Sequence, residues 1–593
     1  MKILLIAINA KYIHSSLAIY SLAAYCRKQQ ELPGEAGRES GPFCIEMAEY
    51  TINQQADDIL QDIYKRKPDV LCFSSYIWNI SYIEAVIKEV YKILPETDIW
   101  LGGPEVSYDA GAVLERLPQI KGVIKGEGEK TLGELCELYR EQRRINDSGL
   151  QKVQGIAFRN AGGQIVDNPW REPVSLDEIP FGYENLDIFQ NKIIYYETSR
   201  GCPFSCSYCL SSVEKRLRFR SLPLVKRELQ SFIDNKVPQV KFVDRTFNCR
   251  HEHAMAIWEY IAQHDNGVTN FHFEVAADLL REEELSLIET MRPGLIQLEI
   301  GVQSTNPDTI REIRRTMDFE KVKAHVGRIK KAGNIHQHLD LIAGLPYEDM
   351  KSFVRSFDAV YRLEPDQLQL GFLKVLKGSY MEENKDAYGL VCKTMPPYEV
   401  LYTKWLSYGD VLELKGVEEM VEVYYNSGQF SHTMRGLGEQ YDWPYEMYRE
   451  LWRYYGGKGY LGVQHKRNSR YEILLQFVKE YFPRKTEEIR ELLIYDYYLR
   501  ENVRTRPSFA GEHTVSKEFL RMFYEKEARE YKYLPQYRSY DKNQMRKMTH
   551  VEKFAKMEKV LLFDYKCRNP LNQEARTCMI KKDIDIEERT EVN

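Results

Sequence analysis

Over the first 145 positions, short apolar runs alternate with longer amphipathic stretches. The runs fall at 3–8, 43–47, 70–74, 98–101 and 122–124, and residues 16–29, 56–65, 81–93 and 130–143 between them repeat with helical period. Apolar runs too short for helices, separated by helices of ten or more residues, predict βαβ units around a parallel sheet. Five such strands predict a doubly wound domain over 1–148, in which ligands sit beyond the C-terminal ends of the strands. Those ends carry unusual loops. They are Asn9-Ala10-Lys11-Tyr12-Ile13-His14, Ser74-Ser75-Tyr76, Gly102-Gly103-Pro104-Glu105 and Gly126-Glu127-Gly128-Glu129. Glycines there let a ligand approach the backbone closely.

The alternation breaks at 149–190. Runs 155–158 and 164–166 flank Ala161-Gly162-Gly163 and predict a hairpin, and Pro169, Pro173 and Pro180 then mark an extended linker. From 191 to 380 the βα rhythm returns, with strands expected at 193–198, 240–244, 270–276, 295–300, 339–343 and 367–374. Six βα units predict a partial parallel barrel with its active residues at strand C-termini. Beyond 380 the strand signal fades into helical patterns with paired aromatics, Tyr424-Tyr425, Tyr454-Tyr455 and Tyr497-Tyr498, which predict a mainly helical domain over 381–593. Such pairs at helical spacing read as core. The tail 581–593 is charged and reads as frayed.

Composition narrows the chemistry. The 593 residues are 43% hydrophobic and 29% charged, with 83 basic and 88 acidic residues for a net charge of −5. That balance argues against nucleic-acid affinity driven by overall charge. No apolar window is long enough for a spanning helix, and the N-terminus reads as a buried strand, so a soluble cytoplasmic protein without membrane attachment is expected. Eleven cysteines, an odd number and sparse, imply reduced thiols whose function would be metal or redox chemistry. Cys26, Cys44, Cys72 and Cys136 fall in apolar patterns and read as inert core thiols.

One loop stands apart. Directly after the strand at 193–198 comes Ser199-Arg200-Gly201-Cys202-Pro203-Phe204-Ser205-Cys206-Ser207-Tyr208-Cys209. Thiolates suit soft metals and iron–sulfur clusters. Three ligands for four irons leave one iron open to a nitrogen- or oxygen-donating substrate. Structural zinc would want a fourth ligand, for which Cys249 or His251 is placed. The basic run Lys215-Arg216-Leu217-Arg218-Phe219-Arg220 follows and reads as a solvated loop, with phosphate or reductase binding as the alternative.

CxxxCx(aromatic)C after the first strand of a six-unit βα barrel resembles the radical S-adenosylmethionine (radical SAM) enzymes. The landmarks 242–247, 299–304 and 340–346 support the resemblance over roughly 190–380. The N-terminal domain resembles the flavodoxin-like cobalamin-binding domain that precedes the barrel in one large subgroup, and the last third is similar to an uncharacterised helical extension. The resemblance implies a [4Fe-4S] cluster on Cys202, Cys206 and Cys209. S-adenosylmethionine would chelate its open iron and be cleaved to a 5′-deoxyadenosyl radical. Tyr208 would support the cluster or the adenine, and Asp244, Arg245 and Glu274 would contact the methionine moiety. Glu299, Gln303 and Ser304 would reach the ribose, and Gly344 and Leu345 would line the adenine pocket. Cobalamin would contact Asn9, His14, Ser74, Ser75, Tyr76, Gly102, Gly103, Pro104, Glu105, Gly126, Glu127 and Gly128. The sequence departs from the family in lacking a Gly-Gly-Glu after the second barrel strand and an Asp-x-His-x-x-Gly loop after the first strand of the chain. The latter implies base-off cobalamin without a histidine lower ligand, or a domain that has lost the cofactor.

The function implied is cobalamin-dependent methyl transfer to an unactivated carbon of a small molecule or peptide, with an electron donor such as flavodoxin or ferredoxin and no nucleic-acid partner. The alternative within the same cofactor class is a radical rearrangement or cyclisation without methyl transfer. Two further readings are a transfer-RNA methylthiotransferase-like enzyme, whose cysteine-bearing N-terminal domain and C-terminal barrel this sequence does not match, and a non-catalytic cobalamin or iron–sulfur sensor.

Overall fold

The computed structural model describes residues 1–31, 43–142, 145–503, 505–512 and 515–581. The tail beyond Lys581, read above as frayed, lies outside the described residues. The chain divides into two compact units, one of residues 1–356 and 370–411, the other of 357–369 and 412–593.

In the first unit the five expected N-terminal strands are Lys2–Asn9, Cys44–Thr51, Val70–Ser74, Asp98–Gly102 and Gly122–Ile124. They pair in parallel with the first strand between the second and third, so Ile6 lies beside both Ala48 and Phe73. Strand order therefore reverses at the first strand, which makes that end of the sheet a crevice for ligands. Leu4, Ile6, Leu71, Phe73, Ile99 and Leu101 pack against Ile59 and Ile63 of helix Ala56–Arg66 and Ile83 and Ile87 of helix Ile80–Ile93. The hairpin of 149–190 forms as Ile156–Arg159 and Ile165–Asp167 and continues this sheet antiparallel at its edge, with Val123 opposite Ala157. Cys26, Cys72 and Cys136 are buried, with the Cys26 and Cys136 sulfurs 3.9 Å apart, but Cys44 is exposed at the start of its strand. The reading of Cys44 as a core thiol is thereby corrected.

The barrel is a six-stranded sheet of Ile194–Tyr196, Gln239–Phe242, Asn270–Val275, Ile296–Gln303, His336–Ala343 and Gln367–Phe372, in sequence order across the sheet. Along Ile296–Gln303 and His336–Ala343, buried residues, apolar but for Gln337, alternate with half-buried, mainly polar ones. The apolar set faces the helices and the polar set lines the concave side. Register aligns Tyr195, Lys241, His272, Gln297 and His336 in one row, with Glu274, Glu299 and His338 in the next row towards the mouth.

The second unit is mainly helical, as expected. Of its paired aromatics, Tyr424, Tyr454, Tyr455, Tyr497 and Tyr498 are buried core and Tyr425 is half-buried. It also holds a three-stranded antiparallel sheet that the sequence reading missed, Thr549–Phe554, Lys559–Arg568 and Ala575–Met579. The middle strand is covered on both faces. Leu562 packs with Phe523, Tyr537 and Met545, whereas Phe563 meets Tyr495 and Tyr498. A strand buried on both sides loses the alternation that marks it in sequence.

Candidate functional site

The strand ends of the N-terminal sheet open on a cavity of about 690 Å³. All four loops contribute to it, through Asn9 and His14, Ser74 and Tyr76, Gly102, Gly103 and Pro104, and Gly126, Glu127 and Gly128. Leu17, Leu22, Ile124 and Leu132 add an apolar wall. From the barrel, Tyr195, Glu197, Arg200 and Arg245 face the same space. Gly103 has φ +109°, and a Cβ there would lie 2.4 Å from the Ser75 carbonyl oxygen, so this turn excludes any side chain. A roomy, largely apolar cleft along glycine-bearing strand ends fits a large planar cofactor such as cobalamin.

Two expected contacts face elsewhere. Ser75 is fully buried behind the loop, its N–H donating to the Gly102 carbonyl at 2.7 Å and its Oγ without a partner. Glu105 is buried, accepting from the Tyr398 hydroxyl and paired with Lys377 at 3.0 Å, so it fastens the strap after the barrel rather than lining the cavity. His14 reaches into the barrel, its Nδ1 2.7 Å from the Tyr195 hydroxyl. Burial, then Lys11 and Lys241, lower its pKa and favour the neutral ring.

The cysteine loop leaves the first barrel strand and is tied down by its own backbone. The Ser212 hydroxyl donates to the Cys206 and Cys209 carbonyls at 2.8 and 2.6 Å, and Ser207 N–H donates to the Ile313 carbonyl at 2.9 Å. Cys202 and Cys206 are buried, Cys209 is half-buried, and all three are unbridged. Burial pushes the Cys202 thiol up, and Cys209 and Cys206 add to it. Among the described residues, no three His, Cys, Asp or Glu side chains converge as ligands of a single metal ion. A cubane cluster takes one thiolate per iron and needs no common point, so three thiols on one short loop fit it by donor chemistry.

Around this loop the barrel mouth sorts the expected residues into fasteners and open groups. Asp244 is a fastener. Its buried carboxylate accepts from Thr198 N–H at 2.9 Å, Thr198 Oγ1 at 2.6 Å and Ser199 Oγ at 2.8 Å, and burial pushes its pKa up to about 6. That corrects the expectation that it meets the methionine amine: its acceptor sites hold the turn into Cys202. Ser304 is fully buried and donates to Glu348 at 2.8 Å, which takes it out of reach of a ribose. Glu299 is held by Lys241 at 2.8 Å and His272 at 3.0 Å. Although burial opposes its charge, these partners keep its carboxyl well below the usual range. Arg245 lies at the cavity edge, its Nη1 donating to both carboxylate oxygens of Glu274 at 3.1 and 3.0 Å. Gly344 has φ +92° and abuts Val400, while Leu345 packs with Ile313 and Met381 in a cluster that also receives Tyr208.

Gln303 is an open group. A bulge after Gly301 gives it φ +70°, its amide lies over the bare Cα of Gly301, and its buried Oε1 has no partner. Beside it is Arg315, which the sequence reading missed. Its Nη1 is 3.8 Å from Cys206 Sγ, Nη2 donates to the Gly301 carbonyl, and Nε has no partner. Burial works against this charge, but Tyr208 and Cys206 hold the guanidinium protonated. No sequence signal separates Arg315 from Arg314, whose guanidinium stacks on Tyr380 at 3.6 Å. Only the fold does.

A second missed element joins the two halves of the site. Half-buried Arg200, two residues before Cys202, reaches Glu129 at 2.5 Å, Glu197 at 2.5 Å and Glu127 at 3.4 Å. Arg218 pairs with Glu127 as well. The Gly126–Glu129 loop is thus clamped to the cysteine loop. The rest of the basic run is occupied too: Arg216 pairs with Glu172, Arg220 with Glu228, and Lys215 donates to the Phe204 carbonyl. Arg218 and Arg220 stitch the site together, whereas Lys215 and Arg216 are exposed, as expected of a solvated loop.

Three family models match successive segments of the chain. The B12 binding domain family matches residues 3–136, the Radical SAM superfamily 196–360, and a protein family of unknown function, DUF4080, 386–573. An uncharacterized methyltransferase of Pyrococcus horikoshii is 24% identical over 64% of this chain and 79% of its own length. The cobalamin-dependent radical SAM methyltransferase TokK of Streptomyces tokunonensis is 26% identical over 51% of this chain. The chain spans 45% of that relative. Among solved structures, the cobalamin-dependent S-adenosylmethionine radical enzyme OxsB, described with aqua-cobalamin and S-adenosylmethionine bound, shares the fold with a TM-score of 0.57. It covers 84% of this chain and 78% of its own at 16% identity. The chain thus carries a B12-binding domain followed by a radical SAM domain.

Proposed function

We propose that this enzyme transfers a methyl group from S-adenosylmethionine to an unactivated carbon of a small molecule or peptide. The observation that carries the reading is the shared cavity, because loops of the B12-binding domain and residues of the barrel mouth line one space. When bound, the cluster supplies the electron that cleaves S-adenosylmethionine and the cobalamin supplies a methyl carrier. The chain's own residues provide the rest. Cys202, Cys206 and Cys209 would hold the cluster, and Asp244 fixes the turn that presents them. Arg315 offers a half-buried cation to the carboxylate of S-adenosylmethionine, and Gln303 offers an unpaired amide oxygen to a hydroxyl or amine donor. The Arg200 clamp holds both cofactor loops at a fixed separation. An external one-electron donor such as flavodoxin or ferredoxin is required, and eleven free cysteines suit a reducing cytoplasm.

The test uses S-adenosylmethionine with an isotopically labelled methyl group. Anaerobically reconstituted enzyme is incubated with reductant and metabolite extract from a strain lacking the gene. A product carrying the label supports methyl transfer. A new product without label, formed together with 5′-deoxyadenosine, would assign a rearrangement or cyclisation instead.

A further inference from the structure

The net charge of −5 hides an asymmetry. Residues 517–581, comprising helices Lys517–Glu530 and Lys542–Met548 and the terminal sheet, carry sixteen Lys and Arg against nine Asp and Glu. Three of those nine acids point inward. Glu527 accepts from the Tyr533 and Leu534 N–H groups, Glu552 holds Arg506 and His550, and Asp564 accepts from the Tyr537 hydroxyl at 2.6 Å. The outward charge of this module is therefore more positive than its composition indicates.

The cations interleave with tyrosines along one edge. Lys566 Nζ lies 4.5 Å from the Tyr540 ring centre and 5.4 Å from that of Tyr537. Below them, Asp564 also meets Arg576, whose Nη2 donates to the Tyr533 carbonyl. Lys532 sits 5.5 Å over the Tyr533 ring, and Lys581 N–H donates to the Tyr533 hydroxyl. Lys532, Lys566, Arg576 and Lys581 are exposed, and Tyr533 and Tyr540 are half-exposed. One chain of contacts thus runs from Lys532 to Tyr540, with a cation on a tyrosine face at each end and the Arg576–Asp564 pair between them.

We infer that this edge binds single-stranded nucleic acid. Lys and Arg spaced along an edge match a phosphate backbone, and tyrosine faces between them offer stacking to bases of any sequence. An acidic protein would use the cations and leave the rings idle. Whole-chain charge, which argued against such a partner, averages the module with an acidic remainder. The inference does not depend on the reaction proposed above.

Full-length reconstituted enzyme is titrated into fluorescently labelled single-stranded oligonucleotides, RNA and DNA in separate arms, with polyglutamate as the charge-only competitor. Four to five phosphate contacts predict a log–log salt slope of about −3. The triple variant Lys532→Glu, Lys566→Glu, Lys581→Glu should weaken binding at least tenfold. Tyr540→Ala should weaken it about fivefold or more and leave polyglutamate binding unchanged. Unchanged far-UV circular dichroism and thermal unfolding confirm that both variants fold, and formation of 5′-deoxyadenosine should be unaffected. Absence of binding at low salt overturns the inference. So does binding that the triple variant retains, or displacement by polyglutamate together with no effect of Tyr540→Ala, an outcome that points to an acidic protein.

Discussion

The cysteine loop and the tyrosine-rich core of the second unit both bury many polar atoms, and they treat them differently. In the helical core the hydroxyls close on one another: Tyr424 on Tyr455 at 2.7 Å, Tyr361 on Tyr448 at 3.2 Å, Tyr524 on Thr549 at 2.9 Å. Around Cys206 the reverse holds. Ser207 Oγ, Gln303 Oε1 and Arg315 Nε are buried without partners. An unsatisfied buried polar atom costs about 1–3 kcal/mol, so several together need a reason, and a bound cofactor supplies one. Tyrosine content draws attention to the wrong third of the chain. Beside the cysteine loop, three such atoms gather around Cys206, where a cofactor would meet them.

The contrast can be broken at several points. The largest stability effect belongs to the clamp between the cofactor loops. Arg200→Met leaves buried Glu129 uncompensated and should cost about 3–5 kcal/mol in denaturant unfolding. Adding Glu129→Leu should recover part of that loss. Equal loss in the single and double variants would mean that Arg200 acts by packing alone.

Glu348 tests whether the barrel mouth stores a buried acid. Burial raises its pKa from 4.5 to about 7. A raised folded-state pKa means that its contribution to stability is complete below about pH 4.5 and is lost as pH rises through 7. Glu348→Gln should therefore flatten the pH dependence of thermal unfolding between pH 5 and 8. At pH 8 it should gain up to about 3 kcal/mol over the parent. A parallel pair of curves contradicts this.

Arg315 is the sharper probe of the open groups. Loss of a buried charge-assisted contact is worth about 1.5–3 kcal/mol, so Arg315→Met should weaken S-adenosylmethionine binding about 10–100-fold, with Arg315→Lys intermediate. The change should appear in equilibrium binding as well as in turnover. At the small end, Tyr424→Phe removes one closed hydroxyl pair and should cost about 1 kcal/mol of stability with no change in S-adenosylmethionine cleavage. A catalytic loss in that variant would undo the distinction between the two regions.

The strands and the cysteine loop were legible because each rests on local pattern. Val70–Ser74 and Gly122–Ile124 are apolar runs between helices, and the CxxxCxxC spacing lies within eight residues. What was illegible depends on distance in the chain. Asp244 looks like a ligand in sequence and becomes a fastener because Thr198 and Ser199 reach it across the sheet. Arg315 is placed by a bulge at Gly301 and by the loop around Cys206, 109 residues away. The strand Lys559–Arg568 could not be told from a helix because both of its faces are covered.

The central claim is that Cys202, Cys206 and Cys209 hold a cluster that cleaves S-adenosylmethionine. The most direct measurement is 5′-deoxyadenosine formed by the anaerobically reconstituted protein with reductant, compared with Cys209→Ala prepared in the same way. The account predicts formation by the parent chain and none by the variant. It is contradicted if the parent forms none with any reductant while carrying a full complement of iron and sulfide, or if the variant forms as much.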